Sequence, residues 1–184
     1  HKISEKFALE TMAHYRYYEL ANNFQQEIYR LGVNYTFNPK ANFTIGYSYV
    51  DTDEGFGALD NHVLEHRIYE DLNVYDKWGD FKVRHRIRLE HRFINPNITN
   101  NWFRYDLNIN YPLSDKFSIY AFNEILLHMD RQKVFNQNWT GFGTLFKVND
   151  KIKLNFGYFQ INIPNDTLKR LQIGILLNTE HFDS

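Results

Sequence analysis

Glu124 and His128 are the residue types in this chain closest to a hydrolytic pair, because a carboxyl and an imidazole can pass a proton to and from a substrate near neutral pH. A nucleophile to go with them is not evident. The serines (Ser4, Ser48, Ser114, Ser118 and Ser184) have no base beside them in sequence, and the chain holds no cysteine for a thiolate, a thiol metal site or a disulfide framework. Glu124 and His128 therefore read first as interior packing, with a lipid-directed enzyme as the third reading of function and no catalytic residue assigned. His62 and His66 share one face of a strand, but four residues of extended chain separate them by roughly 13 Å, too far to chelate one ion without a bend. No metal or cofactor is assigned. The stretch from Asp51 to Asp60 mixes carboxylates with glycines yet lacks the twelve-residue calcium-loop pattern, so it reads as a solvated acidic loop. Five Asn-x-Ser/Thr sequons, at Asn34, Asn42, Asn97, Asn138 and Asn165, read as a by-product of Asn- and Thr-rich strands.

The densest chemistry is a row of charges. Lys82, Arg84, Arg86, Arg88, Glu90 and Arg92 occupy alternate positions, while Phe81, Val83, Ile87, Leu89 and Phe93 fill the positions between. A helix would scatter those charges around its circumference, whereas the two-residue period of a strand gathers them on one side. The same texture continues to the end of the chain. It predicts ten strands, at roughly 5 to 18, 24 to 38, 41 to 50, 62 to 75, 80 to 93, 101 to 111, 116 to 127, 134 to 147, 151 to 160 and 169 to 179. Pro39, Pro96, Pro112 and Pro164 all fall between them, where a missing ladder donor does no harm. Alternate connections are tight (Asn38 to Lys40, Lys77 to Asp80, Leu113 to Asp115, Asn149 to Asp150). The others are longer and polar (Asp51 to Asn61, Ile94 to Asn100, His128 to Lys133, Asn162 to Lys169).

The 184 residues suit a single domain, 1–184, with no linker-like composition shift. Nothing resembling a signal segment precedes His1, so the chain reads as processed or truncated at its N-terminus. A net charge of −1, with basic residues spread along strands, excludes a nucleic-acid partner. No apolar run approaches the roughly 20 residues of a membrane helix, but a membrane strand needs only about ten residues that are apolar at every second position. Sixteen Phe, thirteen Tyr and three Trp are more than a small soluble core uses, and they favour interfacial aromatic girdles. The fold class is therefore all-β: an antiparallel transmembrane β-barrel of about ten strands in an up-and-down meander. A lipocalin-like barrel with the opposite polarity is the rival. The apolar face, with Tyr29, Leu31, Val33, Tyr35, Phe37, Phe43, Ile45, Tyr47 and Tyr49 among others, is too bulky for its narrow lumen.

Projecting the alternation inward places Arg16, Arg30, Arg67, Lys82, Arg84, Arg86, Arg88, Arg92, Arg104, Lys153 and Arg170 against Glu10, Glu65, Asp71, Glu90, Asp106 and Glu124. The interior is net positive, and confined charges must pair or stay hydrated. A salt-bridged plug is the first reading; an anion-favouring pore or pocket is the second. Facing outward, His62, His66, Glu70, His85 and His91 interrupt the apolar side of strands four and five. Either a β-bulge returns Glu70 to the interior, or the patch meets a protein partner or lipid headgroups.

The segments Arg84 to Phe93, Trp102 to Asn108, Tyr111-Pro112-Leu113, Phe122 to Ile125, Phe135 to Asn138 and Phe156-Gly157-Tyr158 resemble the predicted outer-membrane barrels grouped as domain of unknown function 2490, over roughly residues 60 to 178. Trp139 stands where that pattern expects a basic residue, and the first strand of the pattern, with its leading Trp, is absent or cropped. The resemblance implies the outer membrane of a Gram-negative bacterium, and it implies no activity. With short turns periplasmic and longer loops extracellular, the expected role is structural or accessory. The expected partners are outer-membrane lipid and a protein of a larger envelope complex, with a narrow pore for small anionic solutes as the alternative.

Overall fold

The computed structural model describes residues 1–19, 22–55, 61–94, 98–130, 132 and 134–180. Ten strands follow in chain order: β1 (Phe7–Glu19), β2 (Asn22–Asn38), β3 (Ala41–Asp53), β4 (His62–Trp78), β5 (Phe81–Ile94), β6 (Ile98–Pro112), β7 (Phe117–His128), β8 (Phe135–Lys147), β9 (Ile152–Ile163) and β10 (Asp166–Leu177). Each pairs antiparallel with its sequence neighbour, giving one meandering sheet. The sheet curls on itself. Arg16 of β1 lies 5.1 Å from the ring of Trp139 on β8, and Arg170 of β10 donates to Gln25 of β2 at 2.8 Å. Among the described residues no ladder joins β1 to β10, so the barrel wall is open along one seam.

The polarity is inside-out. Leu31, Val33, Ile45, Tyr47, Ile68 and Ile87 are exposed on the outer face, while Arg67, Asp71, Arg88, Glu90, Arg104 and Glu124 are buried inside. A soluble barrel has the reverse arrangement, so the lipocalin-like rival is set aside. Tight turns close one end. Gly79, with φ +61°, supplies the left-handed backbone that the two-residue β4–β5 hairpin requires.

The opposite end is tighter than the sequence suggests. The stretch Asn162 to Lys169 is not a long loop: Asp166 and Thr167 pair with Ile163 and Asn162, leaving a two-residue turn. Likewise Asp51, Thr52 and Asp53 pair with Leu64, Val63 and His62, and Ile98, Thr99 and Asn100 pair with Ile94, Phe93 and Arg92. A ladder uses backbone groups only, so polar rim residues extend strands as readily as apolar ones. Residues 56–60 and 95–97, and with them part of the acidic loop and the Asn97 sequon, lie outside the described residues.

Candidate functional site: the interior ion network and the outer polar band

The inner faces of β4 to β7 bring most of the charge row together. Glu90 is 2% exposed and meets Arg92 at 2.6 Å, Arg104 at 2.7 Å, Arg88 at 3.3 Å and Arg67 at 3.9 Å. Arg88 also grips Asp71 through Nε and Nη2, both at 2.5 Å, in the two-pronged geometry that a guanidinium offers a carboxylate. Arg104 spans from Glu90 to Glu124, and Arg86 reaches Glu124 at 2.7 Å. Arg67 pairs with Glu65 at 2.7 Å and Arg84 with Asp106 at 2.5 Å. Lys82 stays exposed beside the β4–β5 turn, outside this network.

Aromatic rings extend the network. Tyr69 lies between Arg88 (4.6 Å) and Arg30 (5.9 Å), Trp139 between Arg16 (5.1 Å) and Arg104 (5.5 Å), and Trp102 lies 3.7 Å from Arg92. Guanidinium over ring is favourable, and more so away from water. Arg16, Arg30 and Arg170 form no ion pair with a carboxylate among the described residues, and each keeps a buried Nε without a hydrogen-bond partner. They carry the positive surplus read from the sequence.

The interior is also less wet than the alternation implies. Ile28, Val50, Leu126, Phe159 and Ile161 are buried on the charged side of their strands, and Trp139 stacks on Phe159 at 5.7 Å. Their inward parity was countable in the sequence; their closure into an apolar layer was not. Glycines create room for the rings. Gly32 and Gly46 are cross-strand partners, and Tyr69 covers them so closely that an added Cβ on Gly46 would stand 2.5 Å from its phenol oxygen.

Glu124 and His128 do not form an acid–base pair. Both are buried on β7, but Glu124 is held by Arg86 and Arg104, while His128 packs its ring 4.6 Å from Trp102. Among the described residues no three His, Cys, Asp or Glu side chains converge as a metal site. Asn34, a sequon residue, is buried and donates to Thr44 at 2.8 Å.

On the outside, β4 pairs with β3 from His62 to Val74 and with β5 from Glu65 to Trp78, in both cases without a register shift, so the bulge that would bring Glu70 inside does not exist. Glu70 faces outward with the four histidines, and neighbouring strands supply their partners. His62 meets Asp51 at 2.7 Å, His66 meets the Tyr47 hydroxyl at 2.5 Å, and His85 meets that of Tyr105 at 2.8 Å. His91 bridges Glu70 (3.5 Å) and Asn101 (2.6 Å). The pairing of these histidines with Tyr47, Asp51, Asn101 and Tyr105 was not read from the sequence, which placed Tyr47 on the apolar face and Asp51 in the acidic loop, because only the register of β3 and β6 against β4 and β5 reveals it. The result is a hydrogen-bonded polar band crossing four strands of an otherwise apolar wall.

An apolar exterior around a charged, ring-filled interior defines an inside-out β-barrel of the membrane-spanning class. The chain belongs to the family described as "Protein of unknown function (DUF2490)", which matches residues 1–172, further toward the N-terminus than the motif resemblance reaches. Among solved structures it is similar to the translocator domain of the autotransporter NalP from Neisseria meningitidis, with a TM-score of 0.55 and 12% identity. That match covers 84% of this chain and 66% of the other, so the chain spans about two thirds of that structure's length. At this identity the likeness concerns the fold. No curated protein matches the sequence.

Proposed function

We propose that this protein is an outer-membrane β-barrel of a Gram-negative bacterium with a structural or accessory role, docking through its outer polar band onto another protein of the envelope. The observation that carries the reading is the band itself. Ionisable groups facing hydrocarbon cost up to roughly 2 to 4 kcal/mol at the midplane of a barrel, less for carboxylates, and are placed there when something polar covers them. Tyr47 with His66, and Glu70 with His91 and Asn101, form two hydrogen-bonded sets side by side on adjacent strands. Lipid surrounds the remainder, and the tight-turn end faces the periplasm. We assign the barrel no chemistry of its own. The test is gentle extraction of the native protein followed by native mass spectrometry. A stoichiometric protein companion that is lost in the His66→Ala, Glu70→Ala double variant supports the role; a barrel that emerges alone removes it.

A second reading, passage of small anions, is favoured by Arg16, Arg30 and Arg170, which lack carboxylate partners among the described residues. The packed layer around Glu90, Trp102 and Phe159 opposes it. Planar-bilayer conductance that disappears in Arg86→Glu would establish passage.

A further inference from the structure

We propose that the outer wall of β5 to β10 holds one glycolipid, its acyl part lying in an apolar groove and its phosphorylated sugar head hydrogen-bonded along a polar rung beside that groove.

The groove comes from residue size. Much of the outward face carries Phe, Tyr, Ile and Leu, but Ala121, Gly143, Thr144 and Gly157 bring small residues together on β7, β8 and β9. They leave a groove of about 650 Å³, within the range of small-molecule sites. It has a closed bottom. Behind both glycines stands the Tyr120 phenol, 2.5 Å from where a Cβ would sit on either one, and Asn155 accepts its hydrogen bond at 2.8 Å. The lining runs from Phe81 and Tyr111 at one end to Tyr158 and Leu171 at the other. Phe81 opens β5 beside the tight β4–β5 turn, whereas Tyr158 and Leu171 lie midway along β9 and β10, so the groove crosses the wall obliquely.

Along one side of the groove the chemistry changes in a single step. Ala121, Phe142, Tyr158 and Leu171 form one cross-strand rung, each paired with the next. The following outward rung, nearer the end opposite the β4–β5 turn, reads Asn123, Thr140, Gln160 and Lys169, again each paired with the next. Both rungs face outward, because their strand neighbours Glu124, Trp139, Phe159 and Arg170 point into the interior. Hydrogen bonds join and orient them. Gln160 donates to the Tyr158 phenol oxygen at 3.1 Å, and Asn123 donates to Thr140 at 2.8 Å and exchanges bonds with Asn138 at 3.0 and 3.2 Å.

An apolar groove bordered by a hydrogen-bonding rung, on a wall that faces lipid, matches an amphiphile. Width selects the head. Four residues on four neighbouring strands extend about 14 Å, three strand spacings. A phosphodiester head touches one or two of them, whereas a head of two sugar rings engages the whole rung. Sign selects it further. The rung offers amides, a hydroxyl and an ammonium, and none of its four residues is acidic, which suits sugar hydroxyls and phosphate oxygens. Lys169 is exposed at one end of the rung, where its ammonium meets the phosphate. The site shares no residue with the docking band. Its sugar head rests on the outer-membrane reading above; the groove does not.

The experiment starts from the protein extracted gently from its own membrane and reads bound lipid by native mass spectrometry as detergent is raised. One sugar-headed lipid per barrel is expected to outlast all others. Ala121→Trp with Thr144→Trp fills the groove, and Gln160→Ala with Lys169→Ala strips the rung; each pair is expected to lower that retention at least about tenfold, a loss of roughly 1.4 kcal/mol. Ile45→Trp, elsewhere on the outer wall, is expected to leave it unchanged, and heat-dependent gel migration confirms that every variant is a folded barrel. A retained phospholipid in its place, no retained lipid, or equal retention in all variants overturns the proposal, as does a protein companion or second copy that is lost on filling the groove. A second measurement is independent of where the cell puts the protein. Lipid-stripped barrel, reconstituted in nanodiscs of phosphatidylglycerol and lipopolysaccharide, is expected to keep the latter; keeping neither, or the former, overturns the site whatever membrane the native protein fractionates with.

Discussion

Glu90 shows how much of this protein's order rests on single residues. Four guanidinium groups surround its carboxylate in a water-poor interior. Glu90→Gln keeps the shape and removes the charge, leaving Arg88, Arg92 and Arg104 to repel one another; breaking a buried ion pair in this way costs about 3 to 5 kcal/mol. Denaturant unfolding of the barrel in lipid vesicles should show that loss. Arg84→Gln, at the half-exposed margin of the network, should cost less than Glu90→Gln, because the single Arg84–Asp106 pair is lost and the amide can still donate to the buried Asp106 carboxylate. At Gly46 the argument is steric. A valine there must displace the Tyr69 ring from between Arg30 and Arg88, with an expected loss of roughly 1 to 3 kcal/mol in the same assay. The charges of this layer were legible residue by residue from their alternation. The pairing of Arg88 with Asp71, and the reason for a glycine at position 46, were not, because both depend on strands separated in sequence.

Elements were read more surely than their ends. Charged-in, apolar-out alternation gave β5 nearly residue for residue, whereas β9 and β10 extend past their expected ends into a two-residue turn. Side-chain pattern fades at the rim, where both faces are polar, while backbone pairing continues. At that rim the start of β6 is clamped to the end of β7: Asn101 donates its backbone N–H and its side-chain amide to Asp130. The backbone hydrogen bond, followed by the side-chain one, holds the Asp130 carboxyl below its ordinary pKa. Because the folded value is the lower one, the clamp's contribution is complete above the unfolded carboxyl pKa of about 4 and fades as pH falls through the folded value. The Asn101 amide resonance should follow that titration at acid pH, and in Asp130→Asn it should stay flat. An unchanged acid titration in the variant would assign the shift to another group.

For the molecule as a whole, the interior decides whether anything passes. Ion pairs centred on the buried Glu90, with Trp102, Phe159 and Ile161 buried beside them and Trp139 stacked on Phe159, crowd the inner face of the wall, as side chains do in other small barrels. Planar-bilayer recordings of the intact protein should therefore show no steady conductance, and a sustained anion current would reverse the order of the two functional readings. The outer band and the seam are likewise properties of the assembled wall. The band's partners come from β3 and β6, and the seam exists only because a curled sheet brings β1 within one strand of β10.

The sequence by itself determined the class of this protein. A two-residue period is local, so it declares strands, faces and an inside-out barrel without knowledge of distant neighbours. Only the tertiary structure decided which charges meet, that Glu70 faces outward rather than into the lumen, and that among the described residues β1 and β10 do not pair. Register, curl and spacing join residues far apart in the chain, and no local pattern encodes those distances.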